Sequence, residues 1–570
     1  MSAFAQQGEQ VAKIFPDSTL AILAIQRPKD LITEIENHFV TQSVMKLPEV
    51  KKFFRSPQGA IIKFAKGIVE TQIGESLWDN LKTNTEKGIW LGFDPKRNGL
   101  LVAFQSADEA KLKRIAGIAL TMVGQQAERD GKPIPYKKSN YRDAIAAKFD
   151  DFLIARYKEW FFLTNKPDMA KFAVDNLMDS SQPSAADQVW FRTAYDQLQT
   201  SLPSPSCVWG AVNLEQIKKL SKNDLAFNGQ TENPGVELIF GGILDVVKNA
   251  STANFHLHLD QDLSIQVNTP FQPDWASENR EFFFGQNLTG LAPKAIKPDH
   301  WIASLTSYRD IGEWWLAKED LYPENVIAQL AQTDSQLSTI FSGLDFGEDV
   351  LGSFQPGVQI IATQNRFDDK YIPDLKLPAF ALVGRLKESD SIQRRMRIAF
   401  QSVIGFANIN LGMNGQPQLE VETEKRDESR ISSAQYFYEE GTEEGLVLFN
   451  FSPTIAFKGD HLIISSTRDL AIELAELVGQ PKTEDSNTEL QIDGKMLHQV
   501  LQANLESLVA QNMLEEGNSR DEAENAIEIL LSAVNLLKEL KLDFDVSDDQ
   551  MQMAVKVRFD SANSKSGNAK

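Results

Sequence analysis

Apolar and polar positions follow one another along this chain in short blocks, and the blocks recur in a fixed order. Residues 159–177 read EWFFLTNKPDMAKFAVDNL. Trp160–Leu163 is a mostly apolar run, a polar break follows, and Met169, Ala170, Ala173, Val174 and Leu177 then recur at the spacing of one helix face. Residues 460–478, DHLIISSTRDLAIELAELV, repeat this pattern without a gap at a shift of 301 positions, with Leu470, Ala471, Leu474, Ala475 and Val478 on the helical face. Each stretch predicts a buried or half-buried strand, a break and an amphipathic helix. Asn165 stands three residues before Asp168, and Ser466 three before Asp469. That is the spacing of an N-cap and a first-turn acid, and Pro167 fits a first turn because its missing N–H costs nothing there. The repeat therefore concerns architecture: the two copies share no reactive group beyond the expected capping acid.

Four further segment pairs keep the same order: 15–31 with 297–311, 99–120 with 379–400, 208–220 with 488–500, and 241–267 with 531–555. Ser307 with Asp310 and Ser106 with Glu109 predict additional caps, and Asn213 and Asp493 fall at equivalent cap positions. Five segments in one order predict a tandem duplication. Copy one spans 11–271 and copy two 296–560. Residues 1–10 form a processed or flexible N-terminus, 272–295 a packed linker containing Phe282–Phe284, and 561–570 a disordered tail. Ile89–Phe93 turns into Leu100–Phe104, and Leu153–Tyr157 into Trp160–Leu163, so the strands come as hairpins. Hairpins imply antiparallel sheet, with helices expected on one face. The fold class is α+β, built from ferredoxin-like strand-strand-helix modules.

Charge narrows the partners. The chain has 79 acidic and 58 basic residues and a net charge of −21. Phosphate affinity needs clustered Lys and Arg, so no nucleic-acid partner is expected. No apolar run reaches the length of a transmembrane helix, so no integral membrane segment is expected. A hydrophobic content of 42% with 34 Phe residues predicts sizeable cores. Residues 3–7, AFAQQ, resemble what remains at a signal-peptidase site and predict export. Cys207 is the single cysteine and predicts a buried structural thiol; no intramolecular disulfide can form.

Candidate chemistry is sparse. His256, His258 and Asp260 alternate along one strand face as metal ligands would. The matching stretch of copy two places Asp543, Asp545 and Ser547 there, which predicts a solvated face and no metal or cofactor. The run DQDLS at 260–264 opens like a calcium loop, but Ile265 and Phe271 stand where Gly and Glu are needed, so it predicts a hairpin turn. Gly241-Gly242 lacks a following phosphate-loop Lys. His461 matches Trp160, which predicts packing. Glu443-Glu444 and Asp368-Asp369 lie in polar loops. Trp301, Trp314, Trp315 and Tyr322 could form a binding face, though aromatics on a helical face predict core. No catalytic, binding or metal residue is assigned.

The stretches FPDSTLAILAI, NGLLVAFQSADEAKL and FLIARYKEWFFLTNKPDMAKFAVDNL together resemble a family of large exported bacterial proteins grouped as a domain of unknown function. The resemblance implies a periplasmic or secreted location and brings no catalytic residues. Three functions stay open. The first is a non-catalytic envelope protein that binds or scaffolds another envelope protein or a polysaccharide. The second is a carrier of an apolar or amphipathic ligand in a groove between the copies. The third is a hydrolase whose site is assembled from distant acids.

Overall fold

The computed structural model describes residues 10–45, 50–51, 56, 67, 70–71, 74–129, 131–201, 208–221, 225–341, 343–367, 371–387, 389–436, 445–479, 482–547 and 549–560. The expectations for residues 3–7, Cys207, Asp368-Asp369, Glu443-Glu444 and the tail 561–570 fall outside them. The fold is α+β. The chain forms two compact units, Met1–Lys222 with Ala250–Pro270, and Asn223–Asn249 with Phe271–Lys570.

Among the described residues, unit 1 contains ten strands: β1 (Ala21–Ile25), β2 (Ile89–Asp94), β3 (Gly99–Gln105), β4 (Lys137–Tyr141), β5 (Ala144–Lys148), β6 (Leu153–Tyr157), β7 (Trp160–Thr164), β8 (Val208–Asn213), β9 (Thr252–Leu259) and β10 (Leu263–Pro270). They lie side by side in the order 4-5-6-7-3-2-1-8-9-10, each pair antiparallel. Unit 2 contains β11 (Trp301–Ser307), β12 (Val358–Thr363), β13 (Ala379–Arg385), β14 (Leu419–Arg426), β15 (Ser429–Tyr436), β16 (Thr454–Lys458), β17 (His461–Ser465), β18 (Thr488–Asp493), β19 (Leu537–Val546) and β20 (Gln550–Phe559). Their order is 14-15-16-17-13-12-11-18-19-20, again antiparallel throughout. Adding ten to each strand number turns one order into the other. Trp160 and His461 hold the same place, each opening its strand opposite the last residue of the third strand, Gln105 or Arg385.

Helices cover both faces of each sheet, not the single face expected. In unit 1 the inner face carries Ala24, Trp90, Ala103, Phe162 and Trp209, packed with Met169 and Ala173 of helix Pro167–Asp179 and Phe191 and Tyr195 of helix Val189–Ser201. The opposite face carries Phe104, Ile154 and Phe161 beneath helix Glu109–Arg129. In unit 2, Ile463 packs with Leu470 and Leu474 of helix Arg468–Leu477, while its neighbour Leu462 packs with Ile392 and Met396 of helix Ser389–Met413. Successive strand residues point to opposite faces, so two adjacent apolar residues call for two helical layers. That is the physical reason for the correction.

The unit boundary also differs from the expected one. Helix Pro234–Asn249 lies in expected copy one but packs in unit 2. Arg280 is buried there, with Nε 2.6 Å from Glu237 Oε1, Nη1 paired with Asp245, and Nη2 donating to the Gly229 carbonyl at 2.9 Å. Arg309 donates to the carbonyls of Leu238 at 2.7 Å and Ile239 at 2.8 Å, and lies over the Phe283 ring at 3.7 Å. Burial without an adjoining carboxylate pulls the Arg309 guanidinium down to about 9, so it stays charged at neutral pH. Gly242 lets Phe283 approach the helix, because a Cβ would lie 2.2 Å from that ring. Packing, not phosphate binding, accounts for that glycine.

Capping was read correctly at one pair and shifted at others. The Asn213 side chain accepts from Gln216 N–H at 3.0 Å, and Asp493 from Met496 N–H at 2.8 Å. Asp310 is itself the N-cap of helix Ile311–Leu316. Asp108, not Ser106, accepts from the N–H three residues on. Asn165 and Ser466 cap nothing: each holds the neighbouring strand. Asn165 Oδ1 accepts from Leu100 N–H at 2.7 Å, and Ser466 Oγ accepts from Phe380 N–H at 2.9 Å. The helices that follow start one residue later, with Lys166 and Thr467 at their N-caps.

Two substitutions separate these roles. Arg280→Ala leaves two carboxylates buried without their cation and is expected to destabilise unit 2 by about 3–5 kcal/mol. Asp168→Ala, at an exposed first-turn position, is expected to cost only about 0.3–0.5 kcal/mol. Urea unfolding followed by circular dichroism measures both; comparable losses would contradict these assignments.

Candidate functional site

The His256–His258–Asp260 stretch lies differently from its sequence expectation. His256 is buried, 3% exposed, while Asp260 is exposed at the hairpin end. His256 pairs across the strands with Trp209, whose ring lies 5.4 Å from Tyr195 of helix Val189–Ser201. Gln197 of the same helix accepts from Asn254 Nδ2 at 2.8 Å. A helix therefore covers the face expected to be solvated. Among the described residues, no three His, Cys, Asp or Glu side chains come together as metal ligands.

Within the aromatic set, Trp314 engages both Trp315 and Tyr322, and Trp301 lies beneath Lys297. Trp315 and Tyr322 are buried, and Trp314 Nε1 donates to Tyr322 Oη at 3.0 Å. Burial raises the Tyr322 phenol above its ordinary value. Two acids meet at one cation: Lys541 Nζ lies 2.7 Å from Glu489 and 2.9 Å from Asp543, which face each other across β18 and β19. Burial raises Asp543 above the usual carboxylate range. Glu489 is 4% exposed and also accepts from Gln491 at 2.5 Å, so its carboxylate is satisfied within the cluster.

A different place stands open. On the outer face of unit 1, Phe104 and Phe161 are cross-strand partners with stacked rings 4.8 Å apart, and Ile154 lies alongside. Helix Glu109–Arg129 sets Leu112, Ile115, Ala116 and Leu120 above them, and helix Leu77–Asn84 adds Leu81. Between these layers is a cavity of about 230 Å³. Its polar rim is Asn80 and Asn84, and both are occupied. Asn84 Nδ2 donates to Asn80 O and Oδ1 at 2.9 Å, Ser106 Oγ donates to Asn84 Oδ1 at 3.1 Å, and Asn80 Nδ2 donates to Glu75. Lys111 closes the set 2.7 Å from Glu75, and that hydrogen bond is the main reason the Glu75 carboxyl lies below its ordinary value. The wall offers no polar convergence that would do chemistry; it can hold something apolar.

Unit 2 provides the control. The positions equivalent to Phe104, Ile154 and Phe161 are Gly384, Ile455 and Leu462. Phe354 lies 3.1 Å from where a Cβ on Gly384 would stand, and it joins Ile392, Met396, Ile455 and Leu462 in one buried cluster. Among the described residues, the same layer is filled in unit 2 and leaves a cavity in unit 1. Sequence patterning missed the cavity because its lining residues look like any other core. The one available signal was Gly384 opposite Phe104 in the matched segments.

No family model matches the chain, and no curated protein matches it. Among solved structures, crystal form IV of TP0453 is similar at 10% identity over 45% of this chain and 79% of that chain, with a TM-score of 0.24. Crystal form I of TP0453 is similar at 9% identity over 45% and 77%, also at 0.24. A likeness at that score bears on neither fold nor function.

The buried histidine generates a pH prediction. Burial, and then the neighbouring His258, hold the His256 imidazole below its ordinary value. The unfolded chain therefore binds a proton at a higher pH than the folded one, and stability falls as pH drops below about 6.5. His256→Gln should show a smaller drop in melting temperature between pH 7.5 and pH 5.5 than the wild type. His256→Ala should cost about 2 kcal/mol at pH 7.5 through the space it opens. Equal pH sensitivity in wild type and His256→Gln would remove His256 from the account.

Proposed function

We propose that this chain is a non-catalytic binding protein of the bacterial envelope or secreted space, that its two units are copies of one module, and that unit 1 holds an apolar ligand. The observation that carries the reading is the cavity beneath helix Glu109–Arg129, lined by Phe104, Phe161, Ile154, Leu112, Ile115 and Leu120. Left to solvent, its apolar lining costs roughly 25 cal/mol per Å² relative to being covered. Water fills it poorly, since each water needs two to four polar partners and the rim amides already have theirs. An apolar guest removes that cost. In this reading the ligand lies within unit 1 and is small and uncharged over most of its surface.

The location and the family resemblance rest on residues 3–7 and on segment pattern. Among the described residues, no helix is long and apolar enough to cross a membrane. An envelope protein or polysaccharide partner is compatible with a ligand-bearing unit, and the hydrolase reading has the self-satisfied Glu489–Lys541–Asp543 cluster against it.

Two experiments test the proposal. Native mass spectrometry of the full chain purified from its own host should reveal a retained apolar molecule, and N-phenyl-1-naphthylamine should brighten on addition to delipidated protein. Ala116→Phe, which fills the cavity, should abolish the brightening and raise the melting temperature. Undiminished dye binding in a folded Ala116→Phe protein would refute the cavity as the site. N-terminal sequencing of the exported protein should begin at or near Gln6, whereas Met1 retained on cytoplasmic protein would remove the location.

A further inference from the structure

Unit 2 carries a groove of about 500 Å³ along the ends of β13 and β17, within the size range of small-molecule sites. Its floor is apolar, with Ile296, Val383 and Leu477. Its charged residues are Lys294, Lys297, Lys482 and Arg385, and among the described residues no Asp or Glu lines it. The chain as a whole has 79 acidic residues against 58 basic, so this lining reverses the average of the molecule.

Two carboxylates beside the groove are already engaged. Asp460 is held by Arg385, with Nε at 3.0 Å, and lies 3.1 Å from His461 Nδ1. Burial works to raise the Asp460 carboxyl, but the Arg385 hydrogen bond and charge outweigh it and hold the group below its ordinary value. Glu484 accepts from the Ala295 N–H at 3.0 Å. Among the described residues, no carboxylate lies within ion-pair distance of Lys294, Lys297 or Lys482. Backbone structure nevertheless sets two of these lysines side by side, because Lys294 N–H donates to the Lys482 carbonyl at 2.8 Å. Lys297 lies over the Trp301 ring at 4.7 Å. Adjacent ammonium groups without a counter-charge repel each other, and an arriving anion relieves that repulsion. The equivalent positions in unit 1 do not repeat the arrangement. Gln105 and Glu159 share an amide hydrogen bond at 3.1 Å where Arg385 and Asp460 form their pair, and Trp160 packs where His461 stands.

We propose that this groove binds a compact polyanion bearing two or more phosphate or carboxylate groups, held by Lys294, Lys297 and Lys482 beside Arg385. Lysines act as mobile point charges and suit either group, so the two chemistries are separated by probe. The site is distinct from the apolar cavity of unit 1 and does not depend on it.

Equilibrium dialysis of the full chain against tripolyphosphate and, separately, citrate tests the proposal, with ionic strength held constant by sodium chloride. At least one probe should bind at one site per chain. Lys294→Glu/Lys297→Glu/Lys482→Glu should weaken that binding at least tenfold with an unchanged circular dichroism spectrum, since all three side chains are exposed. Lys137→Glu/Lys138→Glu, two exposed lysines of β4 in unit 1, should leave it unchanged. Tripolyphosphate binding without citrate binding assigns the phosphate class, and the reverse assigns the carboxylate class. Binding of neither probe, or equal weakening by the two sets of substitutions, overturns the site.

Discussion

The register between the third strand of each sheet and the hairpin strand beside it is the constraint on which the rest depends. It is pinned at both ends and in the same way in both units. At one end a side-chain oxygen of the residue after the hairpin strand accepts from the third strand, Asn165 from Leu100 and Ser466 from Phe380. At the other, the Ser106 and Leu386 N–H groups donate to the carbonyls of Glu159 and Asp460, each at 2.8 Å. A slip of one residue would exchange the faces of the whole strand. It would carry Phe161 away from the cavity, Phe162 and Ile463 out of the inner cores, and His461 away from the groove. The repeated stretch at 159–177 and 460–478 is the sequence trace of this clamp. Its shared polar residues serve strand pairing before helix capping.

With the frame held constant, a few substitutions give the units opposite surfaces. Gly384 in place of Phe104 admits the Phe354 ring and closes the outer layer of unit 2. Arg385 and His461 in place of Gln105 and Trp160 turn an amide contact and an aromatic stack into a charged groove wall. In unit 1 the same corner is apolar, with Trp90 and Trp160 5.6 Å apart. Burial holds the His461 imidazole below its ordinary value, so at neutral pH the cationic character of the groove comes from lysine and arginine.

Legibility in the sequence followed the range of the interaction. The hairpins, the strand-helix order and the caps at Asn213 and Asp493 depend on residues a few positions apart, and these read correctly. The caps at Asp108 and Asp310 were displaced by two or three residues, because loop geometry decides which of several nearby oxygens reaches the first turn. Placement of helix Pro234–Asn249 rests on Arg280, 43 residues from Glu237, and no local pattern encodes it. The burial of His256 departs from its expectation for the same reason: alternation reveals that a strand has two faces, but not which distant helix lies on either. The cavity and the groove were the least legible, since each is a property of space between elements.

Helix Val189–Ser201 also explains why matched strand positions differ so sharply in polarity. It lies between β7 and β8 in sequence and covers Trp209, Asn254 and His256. In unit 2 the chain passes from Leu477 to Thr488, and no helix occurs among the described residues between them. A helix of thirteen residues needs about 20 Å of rise and its own connections, more chain than that passage has. The positions of Trp209, Asn254 and His256 are there Glu489, Lys541 and Asp543. Without an apolar helix face above them, large apolar side chains would lose the packing that makes their burial favourable. Carboxylates and an ammonium group satisfy one another at 2.7 and 2.9 Å and do not rely on an apolar helix face, although Glu489 is itself buried. Among the described residues, the ionic cluster stands where unit 1 has apolar and amide side chains beneath a helix. Glu489 and Asp543, the two acids that face each other across β18 and β19, are thereby accounted for by the fold.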